Sequence, residues 1–350
     1  MSYNSTTVLN IKKELNKVKV LLCQEGEKVL SKSGVGRAMK HQIEALKLAR
    51  VDFTTDNSDD YDILHVNTVG MDSYHIAKKA HKHNKKVVYH AHSTEEDFKN
   101  SFAFSNLVSP LFKRWLVRCY SLGDVILTPT PYSKKVLEKY NLPSPIVSIS
   151  NGVDLDLFKK DQAKIKKFRH HFNLSPSDKV IISVGHFFER KGLPDFFEIA
   201  REFPEYTFIW FGYTPTAAVT DKIRKAINSK PDNVIMPGYI KGDIIQGAYA
   251  AADLFFFPSY EETEGIVVLE ALAANCQVIL RDIGVYDPWL VDKMNCYKGN
   301  SNEEFISILK DYFSNKIPST TKQGYEVAKE RSLDKIGQQL KQVYEDVLNN

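Results

Sequence analysis

A rhythm limits most tightly what this chain can become. Short apolar runs, each closed by glycine, proline or hydroxyl residues, are followed again and again by stretches of helical periodicity. Residues 17–23 (KVKVLLC), 62–67 (DILHVN), 87–90 (VVYH), 124–128 (DVILT) and 146–149 read as strands of one half. Residues 179–185 (KVIISVG), 206–212, 234–240 (VIMPGYI), 254–257 and 277–281 (QVILR) read as strands of the other. Strands that alternate with helices predict an α/β architecture with parallel sheets, because a parallel neighbour needs a crossover. The densest instance is residues 255–274, FFFPSYEETEGIVVLEALAA: an apolar strand ending at Pro258-Ser259, an acidic loop, then a helix opening near Gly265.

That block also carries chemistry. Glu262 sits in the loop and Glu270 in the second turn of the helix. At ~1.5 Å per helical residue and ~3.3 Å per extended one, they lie roughly 10–15 Å apart. Gly265 permits a tight turn and a close ligand approach. The N–H groups at the helix start, from Glu264 to Val267, can hold an anion such as a diphosphate. A carboxylate accepts from two vicinal hydroxyls at once, so the span suits a nucleotide sugar. Without its neighbours the pair also fits an ordinary αβ unit with an acidic loop.

At 350 residues there is room for two domains, each with its own core. No apolar run reaches the ~20 residues that span a bilayer. The opening stretch, MSYNSTTVLNIKKELNK, lacks the apolar centre of a signal peptide, which leads to an expected cytosolic location. Cys23, Cys119, Cys276 and Cys296 are scattered without C-x-x-C spacing and read as reduced structural thiols. Charge is uneven: residues 1–150 hold 22 Lys and Arg against 15 Asp and Glu, and the remainder 25 against 28. A basic front half predicts an anionic partner, whether nucleic acid, membrane surface or phosphorylated acceptor.

Other stretches add candidates. Ser33-Gly34-Val35-Gly36-Arg37 follows the first apolar run and opens a helix. It reads as a phosphate-approach loop or, lacking a third glycine, as a simple tight turn. The basic run 78–86 reads as a solvated helix end, ahead of a lipid-facing role. His90-Ala91-His92 closes a strand at the end that faces the ligand crevice of open α/β sheets; with no third ligand evident, it is not read as a metal fragment. Residues 98–120 place Phe102, Phe104, Leu107, Val108, Leu111, Phe112, Trp115 and Leu116 in one broad apolar sector edged by Lys99, Lys113, Arg114 and Arg118. An interfacial helix on anionic lipid and a helix–loop–helix packed on its own domain both fit. Asp154-Leu155-Asp156 spells D-x-D but falls at a hinge position, and is taken as coincidence. Arg190 and Lys191, in a strand-to-helix loop, suit a leaving diphosphate: arginine forks onto two oxygens and lysine supplies a point charge.

With P-S before it and G-I-V-V-L-E-A within and after it, Glu262-x7-Glu270 resembles the E-x7-E signature of the retaining glycosyltransferases of family 4. The resemblance runs over roughly residues 17–348 and implies the GT-B fold, two Rossmann-like domains facing across a cleft. Residues 1–153, with a C-terminal helix of about 328–350 crossing back to them, would form the acceptor and membrane-facing domain, and the resemblance favours Phe98–Tyr120, with the basic first domain, as its contact with an anionic membrane surface. Residues 154–327 would form the nucleotide-sugar domain, with Asn151-Gly152-Val153-Asp154 as the hinge. The implied donor is UDP-glucose or UDP-galactose, with no tightly bound cofactor and no required metal. By the same resemblance Gly34 and Gly36 lie against the diphosphate and acceptor, and the segment ending at Ile240 receives the base. Arg190, Lys191, Gly265, Ile266 and Val267 take the diphosphate, Glu270 the ribose, Glu262 the sugar hydroxyls, and His92 the reacting end. The family's second arginine is replaced here by His186, so Arg190 is expected to serve for it, and Gly284–Pro288 replaces the usual G-x-P-E turn.

For the acceptor, the sequence is most similar to bacterial α-glycosyl-diacylglycerol synthases, which build lipoteichoic acid anchors. The expected step adds a hexose to monoglucosyl-diacylglycerol on the inner face of the cell membrane. A diacylglycerol 3-α-glucosyltransferase is the near alternative, and a polysaccharide or soluble acceptor a further one. A non-catalytic membrane-binding protein is opposed by the intact Glu262, Glu270, Arg190 and Lys191. A nucleic-acid binder is opposed by the lack of a basic stripe interleaved with stacking aromatics.

Overall fold

The computed structural model describes residues 18–23, 25, 33–102, 104–287 and 289–349. The opening stretch 1–17 with Lys17 of the first apolar run, Ala103 within 98–120, and Pro288 of the 284–288 turn lie outside the described residues. Packing divides the chain into two units. The first takes in the described residues of 1–94, 111–152 and 333–350; the second, those of 95–110 and 153–332.

In the first unit the strands are β1 (Lys19–Cys23), β2 (Asp52–Thr54), β3 (Ile63–Val66), β4 (Lys86–His90), β5 (Val125–Thr128) and β6 (Ile146–Ser148). They pair in parallel in the order β2-β1-β3-β4-β5-β6. The central runs are largely apolar because alternate side chains enter two different cores. Leu21, Leu64, Val87 and Tyr89 meet Leu116, Cys119 and Leu137 on one face. Val20, Ile63, Val88 and Leu127 meet Ile336, Leu340, Val343 and Val347 on the other. The latter four repeat at helical spacing, and each buried aliphatic chain of this kind contributes roughly 1.5–3 kcal/mol. That face brings the helix Leu333–Asn349 back to the first unit. The tail holds two helices, Thr321–Lys329 and Leu333–Asn349, so the C-terminal helix expected at about 328–350 begins at Leu333. The tail breaks where the Val153 N–H takes the Arg331 carbonyl at 2.9 Å and Ser332 forms a parallel bridge with Val153.

The second unit contains β7 (Val180–Val184), β8 (Thr207–Phe211), β9 (Val234–Gly238), β10 (Leu254–Phe257), β11 (Val278–Arg281) and β12 (Tyr297–Gly299). Their order is β12-β11-β10-β7-β8-β9, again parallel. The chain leaves β7 towards β8 and β9, then returns to the opposite side with β10, so the strand order reverses between β7 and β10. Open α/β sheets bind ligands at such a reversal, beyond the carboxyl ends of the strands. The turn bearing Arg190 and Lys191 follows β7, and the acidic loop follows β10. Strands β2 and β12 escape the sequence reading: each is a three-residue edge strand without an apolar run of its own. No helix among the described residues is long and apolar enough to cross a membrane.

Candidate active site

The acidic loop of the second unit is held from beneath. Arg281, at the end of β11, donates from Nε to the Pro258 carbonyl at 3.1 Å, from Nη1 to Asn300 O at 2.7 Å, and pairs with Asp195 at 3.2 Å. Its guanidinium carbon lies 3.8 Å from the centroid of the Tyr260 ring. Gly192, at φ +73°, ends the turn Glu189–Lys191, and a Cβ there would strike the Pro258 carbonyl. Gly265, at φ +85° and ψ +61°, caps the helix Ile266–Ala273 in the left-handed region where side chains are disfavoured. The first N–H groups of that helix, Ile266 and Val267, thus follow the acidic loop directly, and a helix start is an anion-binding element.

Within this frame Glu262 is buried, its Oε1 accepting from Ser259 Oγ at 2.7 Å and paired with the Lys191 ammonium. Burial pushes its carboxyl upward, but Lys191 and Arg190 outweigh that and hold it below the usual range. Burial lowers the Lys191 ammonium despite Glu262. Glu270 is fully buried and accepts from Tyr249 Oη at 2.7 Å.

Arg190 is anchored on three sides. Nη2 pairs with Asp97 at 2.9 Å, Nε donates to Ser101 Oγ at 2.9 Å, and Nη1 donates to the Glu261 carbonyl at 2.9 Å. Burial raises Asp97 above the ordinary carboxylate range, against the pull of Arg190 and Lys191. Asp97 and Ser101 were not singled out in the sequence; the cluster Glu95-Glu96-Asp97 was the only signal. His186 donates from Nδ1 to the Tyr213 carbonyl at 2.9 Å, stacks on Phe188, and is lowered by burial, so at neutral pH it brings no charge. Ile240 follows the end of β9 and is half-buried.

In the first unit Gly34 and Gly36 occupy the opening turn of the helix Gly34–Leu48, where Ser33 Oγ accepts from the Gly36 N–H at 3.2 Å. Asp154 of the D-x-D string belongs to the second unit, where it caps the short helix Leu155–Phe158 by accepting from Leu157 N at 2.9 Å.

His92 belongs to a buried cluster that the sequence did not reveal. His92 Nε2 lies 3.0 Å from Asn67 Oδ1, Asn67 Nδ2 donates to Gln42 Oε1 at 2.7 Å, and Gln42 Nε2 reaches His65 Nε2 at 2.9 Å. His65 Nδ1 lies 2.7 Å from Tyr344 Oη. His90 stacks on His92 with ring centroids 4.0 Å apart. A third histidine does therefore join His90 and His92, but through hydrogen bonds; among the described residues no group of three or more His, Cys, Asp or Glu is placed to hold a metal ion. Burial lowers His65 to about 3 and His92 to about 4, and carries His90 well below its ordinary value, so all three are neutral at pH 7. Asn67 directly follows β3, a crevice-facing position that could have flagged it.

The apolar sector of residues 98–120 divides. Leu116 is buried, Phe112 and Trp115 pack against the first unit's core, and the Trp115 indole donates to the Val69 carbonyl at 2.6 Å. Leu107 and Leu111, one turn apart on the helix Ser105–Tyr120, instead stand 77% and 64% exposed, and Phe104, just before that helix, 80%. Phe112 and Trp115 are therefore core residues, and the exposed stripe lies N-terminal to them.

Comparison with known proteins bears on the family and the fold. Residues 164–331 match the family model described as glycosyl transferases group 1, and residues 33–157 that described as glycosyltransferase family 4. Over 334 residues the chain is 46% identical to a protein of Acholeplasma laidlawii named processive diacylglycerol alpha-glucosyltransferase, covering 95% of this chain and 99% of the relative. It is 26% identical, over 95% of its length and 90% of the relative's, to the alpha-galactosylglucosyldiacylglycerol synthase of Streptococcus pneumoniae. In fold it is similar to Anabaena HepE, solved with UDP-glucose, with a TM-score of 0.74 at 16% identity over 94% of this chain and 99% of that one. A sucrose-phosphate synthase of Thermosynechococcus elongatus gives a TM-score of 0.78, also at 16% identity, over 95% and 100%.

Proposed function

The chain belongs to the family 4 glycosyltransferases and is a hexosyltransferase, and from that premise we propose that it moves glucose from UDP-glucose to diacylglycerol with retention at the anomeric carbon. One observation carries the acceptor: the near full-length relative at 46% identity is named for transfer to diacylglycerol. This reverses the order of the sequence reading, which put addition to monoglucosyl-diacylglycerol first. That second step keeps some support, from the 26% identical synthase of a galactosylglucosyl lipid. The word processive in the first relative's name supports both lipids in turn, the product of one transfer serving as acceptor for the next.

In this reading the bond from the sugar C1 to the phosphate oxygen breaks as a bond from C1 to the acceptor oxygen forms on the same face. The departing phosphate oxygen takes the acceptor's proton, so no enzyme nucleophile is needed. The protein's task is then to position the reactants and to stabilise charge developing on the diphosphate. Arg190, Lys191 and the helix start at Ile266 and Val267 are proposed for that charge, Glu270 for the ribose, Glu262 for the sugar hydroxyls, and His92 for the reacting end. Gly34, Gly36 and Ile240 keep their proposed contacts with diphosphate, acceptor and base. The exposed stripe of Phe104, Leu107 and Leu111 supports contact with an anionic membrane surface.

The experiment is a transfer assay with radiolabelled UDP-glucose and UDP-galactose, each offered with diacylglycerol or its monoglucoside. Label from UDP-glucose in monoglucosyl-diacylglycerol is the expected product. Label incorporated only when the monoglucoside is supplied would restore the second-step reading.

A further inference from the structure

The side chain proposed for the reacting end is the last member of a hydrogen-bonded chain running through the core of the first unit. Tyr344, from the C-terminal helix, meets His65 on β3; His65 meets Gln42, from the helix Gly34–Leu48; Gln42 meets Asn67; and Asn67 meets His92. Each amide must present its oxygen to one neighbour and its nitrogen to the other, so the chain has only two self-consistent directions. With Gln42 Nε2 donating to His65, the His65 proton sits on Nδ1 and goes to Tyr344. Asn67 Nδ2 donates to Gln42, and Asn67 Oδ1 accepts the Nε2 proton of His92.

A separate observation favours this direction. His90 Nδ1 lies 3.4 Å from His65 Nε2, while His90 Nε2 is buried without a hydrogen-bond partner among the described residues. When His65 Nε2 is an acceptor, its lone pair is shared by Gln42 at 2.9 Å and, at a longer 3.4 Å, by the Nδ1–H of His90, which then leaves only its own Nε2 lone pair unsatisfied. In the reverse direction His90 would bury an N–H without an acceptor, the rarer and costlier defect.

We propose that Asn67, Gln42, His65 and Tyr344 are positioning residues that hold His92 as its Nε2–H tautomer, leaving Nδ1 to accept a hydrogen bond from a hydroxyl of the transferred hexose. The proposal rests on the reading that places His92 at the reacting end. Among the described residues, burial is the one cause that shifts His92, and no charged group adds to it. His90, stacked on it, and His65 are the titratable groups coupled to it, and burial keeps both neutral. Asn67 Oδ1 therefore alone decides which nitrogen of His92 carries the proton.

NMR and a small set of variants test it. Long-range nitrogen–proton NMR on the wild-type protein should show His92 protonated at Nε2; protonation at Nδ1 overturns the proposal without any variant. Asn67→Leu should lower kcat/KM by about 10- to 100-fold through loss of orientation. Asn67→Asp should set a carboxylate against the imidazole and move the acid limb of the pH–rate profile up by about 1–3 units. An unmoved limb in a folded Asn67→Asp overturns the proposal; should both Asn67 variants misfold, Tyr344→Phe should weaken the Nε2–H signature, and an unaltered one counts against the chain. His92→Ala separates the two levels. Undiminished turnover there removes His92 from the reacting end, whereas impaired turnover with wild-type behaviour in the Asn67 variants removes only the positioning chain.

Discussion

Arg190 donates to the carboxylate of Asp97 at 2.9 Å, so a cation proposed for the leaving diphosphate already has a counter-charge within its own unit. Lys191 is matched in the same way by Glu262. The four side chains form a compact set of zero net charge, and the three side-chain bonds of Arg190 use three of its five N–H groups. A diphosphate bound as proposed would thus meet an arginine that is already oriented and keeps donors to offer.

Asp97→Asn keeps an acceptor for Arg190 and removes one negative charge from this set. Across roughly 10 Å at an effective dielectric near 20, that charge opposes an anion by on the order of 1–2 kcal/mol. The expected result is a lower KM for UDP-glucose and tighter inhibition by UDP, both by about fivefold or more. Steady-state kinetics with UDP as inhibitor check this; a raised KM would mean that Asp97 serves the donor rather than competing with it.

Much of this fold was legible because buried parallel strands announce themselves. Runs such as Val180–Val184 and Leu254–Phe257 are apolar on both faces and sit between turn residues. Edge strands Asp52–Thr54 and Tyr297–Gly299 do not, since their pairing comes from the neighbouring strand and not from their own composition. At the candidate site, Glu262 and Glu270 were readable from spacing. Their partners were not. Asp97 reaches Arg190, and Tyr344 reaches His65, across long stretches of sequence that no local pattern spans. The 98–120 segment was ambiguous for a third reason. Periodicity marks an apolar face without saying what covers it, and Trp115 turned inward while Leu107 did not.

Glu270 and Tyr249 allow binding to be separated from folding. Glu270→Gln should raise KM for UDP-glucose by about tenfold, the loss of a charge-assisted bond to a ribose hydroxyl. Tyr249→Phe removes the hydroxyl that donates to Glu270 at 2.7 Å and should lower stability by about 1 kcal/mol while leaving the donor KM far less affected. Kinetics beside urea unfolding of both variants read this out. Equal KM changes in the two would dissolve the distinction.

Replacing Phe104, Leu107 and Leu111 together with serine should release the protein from anionic vesicles. Each exposed apolar side chain that enters the interface contributes roughly 1.5–3 kcal/mol when fully buried. Phe112→Ser or Trp115→Ser should instead cost stability, since both pack on the core. Vesicle sedimentation and thermal unfolding distinguish the cases; undiminished sedimentation of the triple variant removes the stripe from the membrane.

The buried histidines set a pH dependence of stability. His65 and His92 are depressed from 6.5 to about 3 and about 4, so between those values and 6.5 the unfolded chain binds protons that the folded one refuses. Stability therefore rises with pH across that window and is lost as pH falls from 6.5 towards 4, by up to ~1.4 kcal/mol per unit for each histidine. Urea midpoints taken between pH 7.5 and 4.5 check the sign. A midpoint that is flat or rises on acidification would show that these rings protonate in the folded state.

The claim beneath all of this is that the acidic block after β10 holds the donor nucleotide. The structure of the protein soaked with uridine diphosphate tests it most directly. The account predicts the diphosphate on the main-chain N–H groups of Ile266 and Val267, beside Arg190 and Lys191, with the ribose hydroxyls on Glu270. Uridine diphosphate bound away from residues 262–270 would contradict it.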